Sequence, residues 1–399
     1  MTSRARFAFL LSGLFTACGP GATLHDPPVL DPATVPLSGD PVEVLPPELP
    51  GFDAREDLRH FGDVLRDSAL LRSDPRLGSY FEDPGLDAVT REFGPAVISM
   101  QNLPYRSPLG QAARKPWSSW WYPKKEDYLF KDLEGRASAL SKYDAFRRRR
   151  TDSARRASLA SAADYARRNY RADALAWEGL CDAWSLASID APEPARAARV
   201  SVGDTRYAFG VGELKGLLLM TYEAVEEKDL LYYGQKFTGD HRGWIHPDVF
   251  PEQFHRFVQA QIFERREAFV MDHDPGPEVW SVPVFKANYT LEAVANDPNA
   301  VFVRTWLFSA APTQSQDRDL VGTTEVIREY AYVLRGTRDA NGNLVINSGY
   351  WTQSPSGVDS RRNHPDFFVR IPSGRPLPRR SWNPGIDNAT VDEILKESR

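Results

Sequence analysis

Cys181 is the residue of this sequence best suited to nucleophilic chemistry. It lies in the stretch WEGLCDAWSLASIDAPEP and is one of two cysteines among 399 residues. A thiol attacks as its thiolate, and a free pKa of about 8.5 leaves little thiolate at neutral pH. The reaction therefore needs an imidazole that takes the proton and an acceptor that orients the imidazole.

Among the seven histidines, His255 is favoured as that base by its position. It begins a segment that we predict to be a strand, and the next predicted strand ends at Asp272. Adjacent antiparallel strands can bring such ends together, with Asp274 as the alternative acid two residues along the same face. The predicted triad is Cys181, His255 and Asp272. An inert buried thiol and a structural histidine are the alternatives.

Cys18 determines whether Cys181 can form a disulfide. The chain opens MTSRARFAFLLSGLFTACGP: two arginines, an apolar run over residues 7–15, then small residues ending in Cys18. This pattern is typical of a secretory signal, and the run is too short to span about 30 Å of hydrocarbon. Its end resembles the bacterial lipoprotein signal, in which the cysteine is acylated. Acylation of Cys18 would leave Cys181 without a partner; a secreted protein with an incidental cysteine is the alternative.

The pattern along the chain predicts four parts. They are a signal peptide over 1–17, a lipid-anchored tether with nine prolines over 18–51, a helical region over 52–110 and the main domain over 111–399. We therefore expect a protein anchored by lipid in the bacterial cell envelope, on the outer membrane or the periplasmic face. Without the lipid it would be secreted.

The pattern predicts an α+β fold for the main domain, with helices in its front half and strands in its back half. Residues 137–171 predict two helices broken near Thr151, and the chain over 213–225 has helical spacing. Strands are expected over 254–263, 268–271 and 279–284, with hairpins that turn at 203–204 and 340–343. The run of four arginines at 147–150 favours a solvated helix face over a patch for an acidic partner.

Composition excludes several classes of function. A net charge of −5 and a pI near 5.9 argue against nucleic-acid binding. The sequence shows no metal-ligand spacing, phosphate loop or dinucleotide fingerprint, so we expect neither metal nor cofactor.

Several ordered motifs resemble the transglutaminase elicitor family. The stretch around Cys181 resembles its W-x-G-x-C-H-x-W-x-x-A and P-E-P motifs, and Phe254-His255 resembles its F-H. The segment FVMDHDPGPEVWSVPV resembles D-x-x-x-x-E-V-W-N-x-P-V. Further similarities, at 117–123 and 363–367, extend the resemblance over about 115–375. It implies a papain/transglutaminase-like fold with a helix-borne cysteine.

Three residues depart from the family pattern. Asp182 stands where the family usually has His, Glu213 where it has Asp, and Ser281 where it has Asn. A carboxylate beside the thiol would raise its pKa, so Asp182 puts the activity of this copy in doubt.

Three functions follow as hypotheses. In the first, Cys181 attacks a glutamine carboxamide of a protein substrate and passes the acyl group to a lysine amine. The second is hydrolysis by a papain-like protease or amidase, and the third is a degenerate, non-catalytic surface lipoprotein. An aromatic wall would shield a thioester from water. Its candidate members, which would also contact substrate, are Tyr122, Trp177, Trp184 and Trp280.

Overall fold

The structure is a computed structural model that describes residues 68–69, 88–234, 249–273 and 279–399. The predicted signal peptide, the tether, Cys18 and Asp274 lie outside these residues, as does most of the predicted helical region over 52–110. None of the described helices is long and apolar enough to cross a membrane.

Helices dominate the first half of the described chain, as predicted, and two further helices lie in the second half. Their bounds are α1 Ala88–Phe93, α2 Ala139–Arg150, α3 Ser153–Arg156, α4 Ala162–Arg168, α5 Cys181–Asp190, α6 Val211–Met220, α7 Pro251–Val258 and α8 Asn388–Lys396. The predicted break near Thr151 is confirmed, because α2 ends at Arg150 and the Asp152 side chain caps α3. A π-helix, Gln259–Arg265, continues α7.

The back half forms one large antiparallel sheet, which confirms the α+β prediction. Its strands are β1 Val97–Ile98, β2 Tyr105–Arg106, β3 Gly110–Gln111, β6 Leu231–Gly234, β7 Phe269–Asp272, β8 Ser281–Val294, β9 Asp297–Ala310, β10 Glu325–Arg338, β11 Leu344–Trp351 and β12 Phe367–Arg370. Their order is β1-β11-β10-β9-β8-β7-β12-β6, and β2 and β3 also pair with β8. The expected hairpins are present as β10–β11 and as a separate pair, β4 Ala198–Val202 with β5 Thr205–Phe209.

The strand predicted over 254–263 is wrong, because this segment is helix α7 followed by the π-helix. Pro251 occupies the first turn, where a missing N–H costs nothing. Phe254, Phe257 and Val258 follow at helical spacing and are all buried. His255 therefore lies on a helix and not on a strand.

Both faces of the sheet are covered by apolar cores, which divide the molecule into two layers. Along β7, Val270 belongs to the core that includes Trp184, whereas Phe269 and Met271 belong to the core that includes Phe254. Strand side chains alternate between faces, so successive residues enter different layers. We call the layer on the Val270 side the Cys181 face, because α5 packs there, and the layer on the Met271 side the His255 face.

Candidate functional site

Cys181 is the first residue of α5, and the loop before it is fixed by backbone contacts. The Leu180 N–H donates to the carbonyl of Trp121 at 2.6 Å. A Cβ on Gly179 would lie 2.7 Å from the Trp121 side chain and 2.9 Å from its carbonyl oxygen, so only glycine fits at this position of the motif. The sequence thus places the thiol at a helix N-terminus, where the dipole favours an anion.

The surroundings of the thiol oppose ionisation despite that dipole. Cys181 is 7% exposed, and its Sγ lies 3.7 Å from the carbonyl oxygen of Val279 and 3.9 Å from Oδ1 of Asp182. Burial raises the pKa of the thiol far above its ordinary value, and the Asp182 charge raises it further. The backbone N–H groups of Asp182 and Ser281 act in the opposite direction, without overcoming the burial. The thiol is therefore neutral at physiological pH.

Asp182 is held beside Cys181 by the neighbouring strand. The hydroxyl of Ser281, at the start of β8, donates a hydrogen bond to Oδ1 of Asp182. Ser185, one turn later on α5, donates to the carbonyl of Ser281 at 2.9 Å. Two of the three residues that depart from the family pattern, at 182 and 281, are thus direct partners although 99 residues separate them.

Asp272 approaches this site, as the sequence predicts, but His255 does not. Asp272 pairs with Ser281 in the β7–β8 ladder, and its Oδ1 accepts the N–H of Trp280 at 3.0 Å. The Asp272 side chain follows Val270 on the Cys181 face, and its charge contributes to the raised pKa of the Cys181 thiol.

His255 lies on the opposite face of the sheet, so the predicted triad is wrong. Its Nδ1 is 2.8 Å from the hydroxyl of Tyr332, which lies 2.7 Å from Oγ1 of Thr305, and its ring contacts the edge of Tyr289. Tyr289 and Tyr332 both belong to the His255-face core. Burial lowers the pKa of His255 to about 3, so the imidazole is neutral and serves in packing.

His273 and His364 are the other histidines that the structure describes, and neither is hydrogen-bonded to Cys181. Burial, with help from Arg328, lowers the pKa of His273 to about 3. His364 stacks on Trp351 and its Nδ1 is 3.0 Å from the carbonyl oxygen of Ser360, which agrees with a stabilising role in its turn. Within the described ranges, no hydrogen bond joins Cys181 to an imidazole or an ammonium group. No group of three or more His, Cys, Asp or Glu side chains there could hold a metal ion.

The predicted aromatic wall is divided between core and rim. Trp184 is 1% exposed and donates its indole N–H to the Trp117 carbonyl, and Tyr122 is buried with its hydroxyl bonded to the Gly212 carbonyl. Neither has surface for a substrate, which corrects that prediction. Trp177 and Trp280 are partly exposed, so their rings remain accessible to a binding partner at the surface.

Two residues of this region, Trp121 and Tyr232, were not predicted from the sequence. Trp121 is also partly exposed, and its ring meets that of Trp280 edge-on, with 6.0 Å between the ring centroids. Tyr232, on β6, packs against the core of the Cys181 face, and its pKa is raised by burial and further by the charge of Asp182. The alternation in Leu231–Gly234, with Tyr233 in the His255-face core, was the available signal.

Other motif residues are structural. Lys215 is fully buried, and its ammonium donates to Glu193 and to the carbonyls of Ser118 and Leu320 at 2.6 to 2.7 Å. It also lies 5.1 Å from the Trp117 ring. The P-E-P and upstream tryptophan motifs therefore enclose a buried ion pair, and breaking such a pair is costly.

Comparison with known proteins supports this reading of the fold. Residues 162–321 match the profile of the family described as Transglutaminase elicitor. The structure also resembles the crystal structure of the GP42 transglutaminase from Phytophthora sojae, with a TM-score of 0.54 and 19% sequence identity. The similarity covers 79% of this chain and 98% of that one, and shows a shared transglutaminase-like α+β fold. No curated protein matches the chain.

The matched residues 162–321 contain the polar groups of the Cys181 site, whereas Trp121 of the rim precedes them. Cys181, Asp182, Tyr232, Asp272 and Ser281 all lie between these limits. At a coarse level, family and fold indicate a transglutaminase-type protein.

Proposed function

We propose that this protein is a non-catalytic member of the transglutaminase type, in which Cys181 stays a neutral thiol. The observation that carries the proposal is the Ser281–Asp182 hydrogen bond, which holds a carboxylate 3.9 Å from Sγ. In cysteine enzymes the group beside the thiol is a base or a cation that favours the thiolate. Here it is an acid, and a second acid, Asp272, adds to its effect.

The chemical consequence is a loss of nucleophile. A thiol with the ordinary pKa of about 8.5 is a few per cent thiolate at pH 7, and each further rise of one in the pKa removes nine-tenths of what remains. A carboxylate cannot replace the imidazole as base, because its low pKa gives too little driving force for taking a thiol proton. Attack on a carboxamide is therefore suppressed at its first step.

The remaining role of the site is binding. Trp121 and Trp280 are partly exposed and meet edge-on. Trp177, also partly exposed, follows Ala176, whose carbonyl accepts the indole N–H of Trp121 at 3.3 Å. We call these three tryptophans the aromatic rim. Aromatic side chains supply large contact areas and are enriched at protein–protein interfaces. We propose that the protein uses this rim to hold segments of other proteins without modifying them.

The second candidate is acyl transfer, favoured by two observations. Cys181 begins a helix, and the N–H groups of Asp182 and Ser281 act on its sulfur. In this reaction Sγ attacks a glutamine carboxamide, the thiol proton leaves with ammonia, and a lysine amine then displaces the thiol from the thioester. Attack by water in place of the amine gives the protease or amidase reaction.

The deciding experiment measures covalent chemistry in a Cys18→Ser background, where Cys181 is the sole thiol. The protein is incubated at pH 7.5 with a chloroacetamide mimic of glutamine and followed by intact mass. In parallel, a labelled primary amine and a glutamine-bearing protein are supplied. We expect neither adduct nor amine incorporation on the timescale of a working transglutaminase.

A matched variant makes a negative result informative. Asp182→His combined with Ser281→Asn restores both usual family residues at positions that touch, and we expect it to form the adduct. Amine incorporation by the unaltered site, abolished by Cys181→Ala, would overturn the non-catalytic proposal and establish acyl transfer.

A further inference from the structure

One segment of the chain carries a charge opposite to that of the whole protein. Residues 147–171 contain nine arginines and two aspartates, within a chain whose net charge is −5. The segment forms the end of α2, all of α3 and all of α4. An excess of seven positive charges within 25 residues creates a strong local potential.

Most of these arginines face solvent, and several take part in no ion pair with described residues. Arg150, Arg155 and Arg167 are paired with Glu393, Asp152 and Asp164, respectively. Among the exposed arginines, those without an ion pair in the described ranges are Arg148, Arg149, Arg156 and Arg168. The solvated face expected for the four-arginine run therefore holds for Arg148 and Arg149, whereas Arg147 turns inward to the Gly385 carbonyl.

Exposed apolar side chains adjoin the arginines. Leu133 is 62% exposed, Leu175 58% and Tyr170 38%. Tyr170 lies in the basic segment, and its ring meets that of Phe130, whose carbonyl accepts from Arg167. Leu133 follows Asp132, which pairs with Arg167 at 3.6 Å, and the Leu175 N–H shares Oε1 of Glu178 with Arg171. We call this region the arginine surface. It consists of Arg148, Arg149, Arg156, Arg168, Leu133, Tyr170 and Leu175.

We propose that the arginine surface binds an anionic lipid bilayer. Guanidinium groups form strong paired hydrogen bonds with phosphate, and basic clusters are attracted to anionic headgroups. Apolar and aromatic side chains beside such clusters enter the boundary between headgroups and acyl chains. An acidic protein partner would use the same charges but would gain less from isolated leucines spread around them, so the combination favours a bilayer.

The test uses the full mature chain with Cys18→Ser, so that no acyl chain contributes to binding. Its partition is measured by sedimentation with vesicles of 30% phosphatidylglycerol in phosphatidylcholine, and with pure phosphatidylcholine vesicles. We expect binding to the anionic vesicles at 50 mM NaCl and its loss at 500 mM, because salt screens exposed charges. Each basic residue near an anionic surface strengthens binding about fivefold. Replacing Arg148, Arg149 and Arg156 by Gln should therefore weaken partition roughly a hundredfold.

A matched control removes the same charge elsewhere. Lys228→Gln, Arg362→Gln and Arg375→Gln alter three cations that are 54% to 69% exposed and lie outside the segment. We expect this variant to keep at least a third of the parent protein's partition to the anionic vesicles. Equal binding to both vesicle types, or equal losses in the two triple variants, would overturn the proposal. So would binding to soluble polyglutamate together with none to anionic vesicles, which would indicate an acidic protein partner.

Discussion

Replacing Asp182 by Asn should make the Cys181 thiol markedly more acidic. The substitution removes one negative charge and keeps the size of the side chain. With Sγ 3.9 Å from Oδ1, Coulomb's law at effective dielectric constants between 20 and 80 gives about 1 to 4 kcal/mol of repulsion in the thiolate form. Because 1.36 kcal/mol corresponds to one pKa unit, the pKa of the thiol should fall by about one to three.

The assay is alkylation by iodoacetamide in the Cys18→Ser background, followed by intact mass from pH 6 to 10. Only thiolate reacts, so the rate at pH 8 should rise roughly ten- to a thousandfold in Asp182→Asn. Burial of the thiol slows both proteins alike, so the ratio of rates isolates the charge. The rate of the parent protein should still rise with pH at pH 10, whereas that of the variant should approach its plateau at lower pH.

Ser281→Ala is the matched control for this prediction. It removes the hydroxyl that donates to Asp182 but leaves the carboxylate and its charge beside the thiol. The alkylation rate should therefore not rise. An Asp182→Asn rate within twofold of the parent rate would refute the reasoning, because the neighbouring charge would then not control the thiol.

Two further predictions concern the remaining chemical residues. His255→Ala should leave the alkylation rate of Cys181 unchanged and lower the free energy of unfolding by about 2 to 4 kcal/mol, since it opens a cavity and removes one of the two partners of the Tyr332 hydroxyl. Urea unfolding measures that loss, and a changed alkylation rate in a folded variant would contradict the placement of His255. Cys18→Ser should move the protein from the membrane to the soluble envelope fraction; equal solubility of both forms, with no acyl mass on the mature N-terminus, would end the lipoprotein proposal.

Local sequence determined many elements of the fold. The break at Thr151 and the two hairpins follow from a helix cap and from turn residues within a few positions of each other. The family motifs added the transglutaminase-like fold, because several short patterns occur in the expected order. The glycine of the first motif is explained only by the tertiary structure, since Gly179 must leave room for Trp121, which lies far from it in the chain.

The wrong prediction of a strand over 254–263 also has its cause in the local sequence. Aromatic and apolar residues in this segment favour a strand when alternation is sought, but Pro251 and the spacing of Phe254, Phe257 and Val258 are typical of a helix. Once the segment is helical, the idea that His255 and Asp272 meet at the ends of adjacent strands fails.

Only the tertiary structure decides which residues lie together in the site. In a sheet, one residue along a strand changes the face that a side chain enters, and the order Cys–His–Asp in the chain contains no information about faces. His255 packs beneath one face while Cys181 and Asp272 lie on the other. The contact between Asp182 and Ser281 joins positions 99 residues apart. It forms because α5 packs against β8, and this packing holds the Asp182 carboxylate beside the thiol while His255 lies on the other face.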